Sequence, residues 1–401
     1  MQKILIVGSG FAGTWAALAA ARAVALQQRE AQVEITVVSP APELHIRPRL
    51  YETAFDEMAP DVGALFAAVG VRHVAGRIER IDTVAHRADL CDPQGERSAL
   101  AYDRLVLAAG SQLFMPDLPG LREHSFNVDQ LANARALDTH LRALAQRPDT
   151  PARNTVVVAG GGFTGIETVA EMPGRLRAIL GQDTPVRAIV VEQADGIGPD
   201  LGPVPRPVIE AALAECGVEI MTGTGVVAVD AEGVLTSTGQ RIATHTVVWT
   251  AGARAHPLAA QIPGERDRFG RVHADRELRA LGAQDVFVTG DVALAATDDA
   301  GHTAMMSCQH ALSLGRVAGY NAAASLVGLP LHPYSQPKYV TCLDIGPWGA
   351  VFCEGWDRQV LQTGAVGKAT KRAINTEWIY PPAPDRQAAF AVANPDYVIV
   401  P

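Results

Sequence analysis

The chain carries one uncommon pattern twice: a short apolar run that breaks into glycines and resumes as a helix-like stretch. The first copy is KILIVGSGFAGTWAALAAARAV, from Lys3 to Val24, and the second is VVVAGGGFTGIETVAEM, from Val156 to Met172. Gly8, Gly10 and Gly13 form a G-x-G-x-x-G, as do Gly160, Gly162 and Gly165. In a strand–turn–helix of this kind the first glycine permits the tight turn, the second lets backbone approach a pyrophosphate, and the third lets helix pack close to strand. Amides at the helix N-terminus then meet the phosphates. A single turn of this sort also occurs as a plain connection. Two, each with a strand before and a helix after, point to two different dinucleotides.

The repeat extends past the turns. In the first unit, strand Ile4 to Val7 and a helix to about Gln28 lead to strand Val33 to Val38, β segments at Val71 to Ile81 and Arg87 to Cys91, and YDRLVLAAGS at Tyr102 to Ser111. After a helix-like stretch from Val128 to Ala145 and the linker RPDTPARN, the plan recurs. Strand Thr155 to Val158, a helix, strand Val186 to Val191, β segments around Val218 to Val229 and THTVVWTAGA ending at Ala253 make the second copy. Such self-similarity marks two copies of one supersecondary plan. Pro173-Gly174 is expected to interrupt the second helix early. DVFVTGDVA at Asp285 to Ala293 and a helix-like TAMMSCQHALSLGRVAGYNAAASL ending at Leu326 follow. Beyond Gly328, prolines and strand-like patches Lys338 to Ile345 and Gly349 to Glu354 indicate a third, smaller region, whose end shows no sustained amphipathic helix.

The expected fold class is therefore α/β, with two Rossmann-like dinucleotide-binding domains, the second inserted in the first, plus a small C-terminal α+β region. The expected boundaries are 1–120 with 265–328, then 121–264, then 329–401. A chain of 401 residues exceeds the ~250–300 at which one core stops growing, in agreement with several domains. No charge-free apolar run reaches the ~20 residues that span a bilayer. MQK enters a strand without the features of a secretory signal, so the cytoplasm is the expected compartment. A net charge of -9 argues against general nucleic-acid binding, which needs a basic face. Cys91, Cys216, Cys308, Cys342 and Cys353 are scattered, without C-x-x-C or metal-like spacing, so no metal site is expected.

The residue that ends the second strand of each unit meets a ribose. Glu192 in AIVVEQAD accepts both ribose hydroxyls and repels a 2′-phosphate, which favours NADH over NADPH. The first unit has Ser39 in TVVSPAPE, where an acid is expected.

Together with VFVTGDVA, these residues resemble the two-dinucleotide flavoprotein reductases, which hold FAD on the first Rossmann-like domain and NAD(P)H on an inserted second one. The resemblance runs from the start to about Gly328. GGGFTGIETVAEM, VVWTAGARAHPL and the helix after Gly-Asp look most like the type II NADH dehydrogenases, which pass electrons to quinone. The resemblance implies that Gly8, Gly10, Ala12 and Gly13 contact the FAD pyrophosphate, with Ser39 at its adenosine ribose and Ile78 near adenine. Arg47, in HIRPRLYE, falls where relatives place an FAD-phosphate arginine, a forked donor suited to phosphate oxygens. Ala109 and Gly110 pass close to the flavin, Gly290 leaves room for it and Asp291 bonds its ribityl chain. Gly160, Gly162, Gly165, Glu192, Ala251 and Gly252 receive NADH. Glu167 is placed near the nicotinamide, while Gln309 and His310 join the reacting region, His310 as a candidate proton donor.

The chain also departs from its relatives. Disulfide-reducing members carry C-x-x-x-x-C after the first unit, whereas HIRPRLYETAF contains no cysteine. Quinone-reducing relatives show A-Q-x-A-x-Q-Q-G on the tunnel helix, where this chain has CQHALSLG from Cys308 to Gly315. Lys368 and Lys371 read as solvated charges, and Trp348, Trp356 and Trp378 either cover a pocket or belong to the core. The expected function is an FAD-dependent NADH dehydrogenase delivering electrons to a small, quinone-like acceptor, with no integral membrane segment and peripheral membrane contact left open. The alternatives are a reductase of a small iron–sulfur protein, or a flavin- and NADH-responsive redox sensor. The oligomeric state stays open.

Overall fold

Strand Gln2–Val7 buries its last four residues and pairs in parallel with Val33–Ser39 on one side and Arg104–Leu107 on the other in the computed structural model, which describes residues 1–399. A strand covered on both faces reads as a near-continuous buried run rather than an alternating one, and both neighbours are buried but for one partly exposed residue each, Glu34 and Arg104. Arg72–Ala75 extends one edge, while Ala283–Val288 and the antiparallel Arg279–Ala280 extend the other, giving a six-stranded sheet. The second unit repeats the construction with four parallel strands in the order Val218–Met221, Arg187–Val191, Thr155–Ala159, Thr246–Trp249. Each unit also carries a three-stranded antiparallel sheet, over residues 77–101 and 226–243.

The two glycine turns leave their strands identically. The amide of Gly8 donates to Val38 O at 2.9 Å, and that of Gly160 donates to Val191 O at 2.8 Å. The first helix is Phe11–Leu26 and the second-turn helix is Phe163–Leu180. Contrary to expectation, Pro173 lies inside the latter and does not end it. Proline forfeits one backbone bond, to the carbonyl four residues earlier, but Ile166, Val169, Ala170, Met172 and Leu176 are buried around it. Burial of that face outweighs the missing bond.

The long helix Cys308–Val327 starts later than its apolar pattern suggested, because Ser307 caps it: its hydroxyl accepts from the His310 amide at 3.3 Å. This helix lies directly on the first helix. A Cβ on Gly315 would collide with Ala12 O, and one on Gly319 with Ala16 O. Beyond it, strands Val340–Ile345, Gly349–Glu354 and Gln359–Gln362 form an antiparallel sheet covered by helix Gly364–Ala373. That ten-residue helix is the longest after Gly328 among the described residues, and none of the described helices is long and apolar enough to cross a membrane.

The close approach of the two helices generates a prediction. Gly319→Val should destabilise the protein by about 1–3 kcal/mol or more through overpacking, since backbone cannot yield as a side-chain tip can. Thermal denaturation reads the loss; an unchanged midpoint would show that the helices do not touch this way.

Candidate functional site

Both glycine turns open onto one cavity of about 1990 Å³. Single small-molecule sites are usually ~300–1,000 Å³, so this space suits two large ligands. Gly8 (φ +108°) and Gly160 (φ +112°) occupy left-handed backbone, and an added Cβ would press on Ala108 O or on Ala251 N. Gly13 and Gly165 stand behind the wall, where a Cβ would strike Gly8 O or Gly160 O. Gly10 and Gly162 differ: nothing lies within 4 Å of a Cβ built on either. Each is the N-cap of its helix, and neither helix has a side-chain cap. Two helices of 16 and 18 residues thus present uncapped first-turn amides to the cavity. This is the fit expected for the diphosphates of two dinucleotides, a flavin nucleotide and NAD(P)H.

Around the first turn, Ala12, Ser39, Arg47, Ile78, Ala109, Gly110, Gly290 and Asp291 all line the cavity. Ser39 Oγ donates to Ala41 O at 2.6 Å and meets His73 Nε2 at 2.9 Å. Arg47 is held by the wall: its Nη2 pairs with Asp129 Oδ1 at 2.5 Å, and its Nη1 donates to Ser111 Oγ at 3.2 Å. Ser111 Oγ in turn donates to Asp291 Oδ2 at 2.6 Å. Arg47 and Asp291, 64 and 180 residues respectively from the Ser111 they share, therefore belong to one polar chain. Asp129 and Ser111 carry no motif, and sequence reasoning missed both.

Around the second turn, Glu192, Ala251 and Gly252 line the wall. The Glu192 carboxylate is buried rather than solvated, accepting from Gly161 N at 2.6 Å and Ala194 N at 2.8 Å. It is thereby fixed beside the turn.

A charged pair also lines the cavity. Glu167 Oε1 accepts from Lys371 Nζ at 2.7 Å, and both side chains are 8% exposed. Lys371 also donates to Cys342 O at 3.0 Å, and Asp344 N donates to Glu167 Oε1 at 3.2 Å. Lys368 Nζ clasps Asp344 at 2.6 and 2.7 Å, and Tyr51 donates to that carboxylate at 3.0 Å. The expectation that Lys371 is solvated is corrected: it is buried and ion-paired, while Lys368 keeps one side in water. No local signal marks that burial: Lys368 and Lys371 merely stand at i, i+3 on a short helix. Burial pushes the Glu167 carboxyl up, opposed by Lys371; for Lys371 the attraction of Glu167 outweighs burial and keeps the ammonium charged.

Gln309 reaches the cavity wall, where its Oε1 accepts from Val340 N at 3.4 Å. His310 does not: it is wholly buried behind the wall, with Nδ1 3.0 Å from Ser307 Oγ and its ring against Tyr339. Burial first, then Arg358 and Arg271, lower its pKa to about 3, so it is neutral near pH 7 and carries no proton to donate as an imidazolium. Cys308 and Cys342 line the cavity as thiols, raised by burial to about 11 and about 12. Neither is a thiolate at neutral pH. Trp378 lines the cavity, whereas Trp348 and Trp356 pack behind it.

Residues 2–315 match the family model described as pyridine nucleotide-disulphide oxidoreductase. The chain belongs to that family. It is 44% identical over 396 residues to an NADH dehydrogenase-like protein of Mycobacterium tuberculosis, covering 98% of each chain. It is 28% identical over 357 residues to a demethylphylloquinone reductase of Synechocystis, covering 87% of this chain and 86% of the other. In fold it is similar to NDH2 of Plasmodium falciparum, solved in complex with NADH, with TM-score 0.78 at 14% identity, covering 98% and 97%. The family name refers to a disulfide, yet the five cysteines here are free and the region after the first unit has none. Any electron relay in this member bypasses a dithiol of that placement.

The buried pair generates the second prediction. Lys371→Met alone should cost about 3–5 kcal/mol, because it strands the Glu167 charge, and adding Glu167→Gln should recover part of that. Urea denaturation of the single and double variants checks it; additive losses would show that the two groups do not interact.

Proposed function

We propose that this protein is an FAD-dependent NADH dehydrogenase that passes electrons on to a quinone or quinone-like small molecule. The observation that carries the reading is the one cavity walled by two uncapped glycine-turn helices, with the Glu167–Lys371 pair on its lining. The names of the relatives, an NADH dehydrogenase-like protein and a demethylphylloquinone reductase, support it. FAD on the first turn supplies the two-electron chemistry when bound.

The remaining work falls to side chains of this chain. Gly10 and Gly162 leave each diphosphate free access to helix amides, which fixes both nucleotides relative to one another. Asp291, oriented by Ser111 and Arg47, offers a carboxylate to the sugar-alcohol part of the flavin nucleotide. Glu192 meets the adenosine ribose of NADH and disfavours a 2′-phosphate at that point. Gln309 and Glu167 meet the reacting region, where Glu167 is a protonable carboxylate paired with Lys371. Conversion of a quinone to a quinol with NADH consumes one proton from solvent, so a protonable group at that wall is needed.

Stopped-flow absorbance tests the reading. Anaerobic NADH should bleach the visible flavin band of the purified yellow protein, and a short-chain quinone should restore it rapidly. Bleaching without recovery would remove quinones as the acceptor, and a colourless protein unable to bind FAD would remove the whole reading. Glu192→Ala should lower the preference for NADH over NADPH by roughly tenfold or more, as expected for lost bonds to a charged acceptor. An unchanged ratio of kcat/KM would place the carboxylate elsewhere.

A further inference from the structure

Arg316 stands in the long helix with 1% of its surface exposed, and among the described residues no carboxylate forms an ion pair with it. A buried charge without a counter-charge is costly, so what it holds is informative. Its Nε donates to Val392 O at 2.6 Å, and its guanidinium carbon lies 4.9 Å from the centre of the Tyr397 ring and 5.9 Å from that of Trp15 on the first helix. Val392 ends the last helix, Arg386–Val392, and Tyr397 belongs to the segment after it. Asp396 adds a second fastening, with Oδ1 2.9 Å from His332 Nε2. The end of the chain is thereby strapped over the place where the long helix crosses the first.

The strap leads to the cavity. Phe11 and Leu312 stand four residues before Trp15 and Arg316, on the same faces of their helices, and both line the cavity. Ile399, two residues beyond Tyr397, lines it as well and is partly exposed, so it stands where the wall meets solvent. Phe11, Leu312, Ile374, Ile379 and Ile399 all pack in one apolar cluster. This apolar wall borders the polar groups of the reacting region. Leu312 lies three residues past Gln309 on the long helix, and Ile374 three past Lys371 where the C-terminal helix continues. A wall of that composition suits an uncharged ring rather than a phosphate.

We propose that Ile399, held in place by the Arg316–Tyr397 strap, closes the apolar end of the acceptor's pocket and so restricts the acceptor to a quinone ring without a long apolar tail. This rests on the reading that the acceptor is quinone-like. It makes the end of the chain a determinant of acceptor length, on a wall remote in sequence from both glycine turns.

Reoxidation of the NADH-reduced, FAD-loaded protein tests the proposal. Stopped flow gives second-order rate constants for an unsubstituted benzoquinone and for one bearing a decyl chain, and their ratio within each protein cancels any change in flavin reduction. Wild type should favour the unsubstituted ring. Ile399→Ala should raise the decyl-to-unsubstituted ratio roughly tenfold, the scale on which an apolar pocket discriminates by a methylene or two, and Ile399→Trp should lower it. Tyr397→Ala, which frees the strap while leaving Ile399 intact, should also raise it. Melting temperatures of the loaded proteins check that all variants are folded. Equal ratios in wild type, Ile399→Ala and Tyr397→Ala overturn the proposal and leave the quinone reading intact, as does a wild type that favours the decyl compound. A wild type whose reduced flavin neither quinone reoxidises overturns both.

Discussion

The contact on which the rest of the molecule depends is the crossing of the first helix by the long helix, backbone against backbone. Gly315 and Gly319 are four residues apart and so share a face, which rests on the carbonyls of Ala12 and Ala16. Nearly every residue of the first helix is buried as a result, including its run of alanines. Small residues bury less apolar area than leucines would, but they let two helices approach until dispersion contacts are made along the whole interface. The functional return is positional. The N-terminus of the long helix, with Cys308 and Gln309, is fixed beside the first glycine turn, and Gly290 (φ +66°) fits against Ala12 just where Asp291 enters the cavity.

What the sequence disclosed and what it concealed follow from this geometry. The glycine turns were legible because each is written in consecutive residues, and a strand, a tight turn and a helix impose their constraints locally. The doubling of the plan was legible for the same reason. The Glu167–Lys371 pair was not, since it joins residues 204 apart and nothing near Lys371 in the chain distinguishes it from a surface lysine. Arg47 shows a partial case: its loop was placed at the cavity, but its grip by Asp129 and Ser111 depends on segments 82 and 64 residues away. Pro173 and His310 mark the opposite error, in which a local rule was overridden by burial. A proline remained inside a helix packed on its apolar side, and a histidine beside Gln309 turned inward among Tyr339 and Trp356.

The C-terminal region emerges as more than an appendage. It delivers Lys371 and Lys368 to the carboxylates of Glu167 and Asp344, and Cys342 O to the Lys371 ammonium. It also sends Tyr339 and Arg358 to the cavity wall. The two nucleotide-binding units bring to the cavity the uncapped amides of their glycine turns and the charged side chains of Arg47, Glu167, Glu192 and Asp291, and the third region adds two cations. Lys371 and Arg358 are those cations, reaching the wall from across the interface with this third region.

That division explains why a buried ion pair is found at the junction at all. Two well-packed apolar side chains in place of Glu167 and Lys371 would hold the second-turn helix to the C-terminal helix at least as well, because removing both charges removes both desolvation costs. Stability alone therefore gives no reason for the pair. Its position does: Glu167 and Lys371 both line the cavity, and as an ion pair they set a carboxylate and an ammonium on its wall with no net charge in the interior. The chemistry of the cavity is the requirement that an apolar pair would fail to meet.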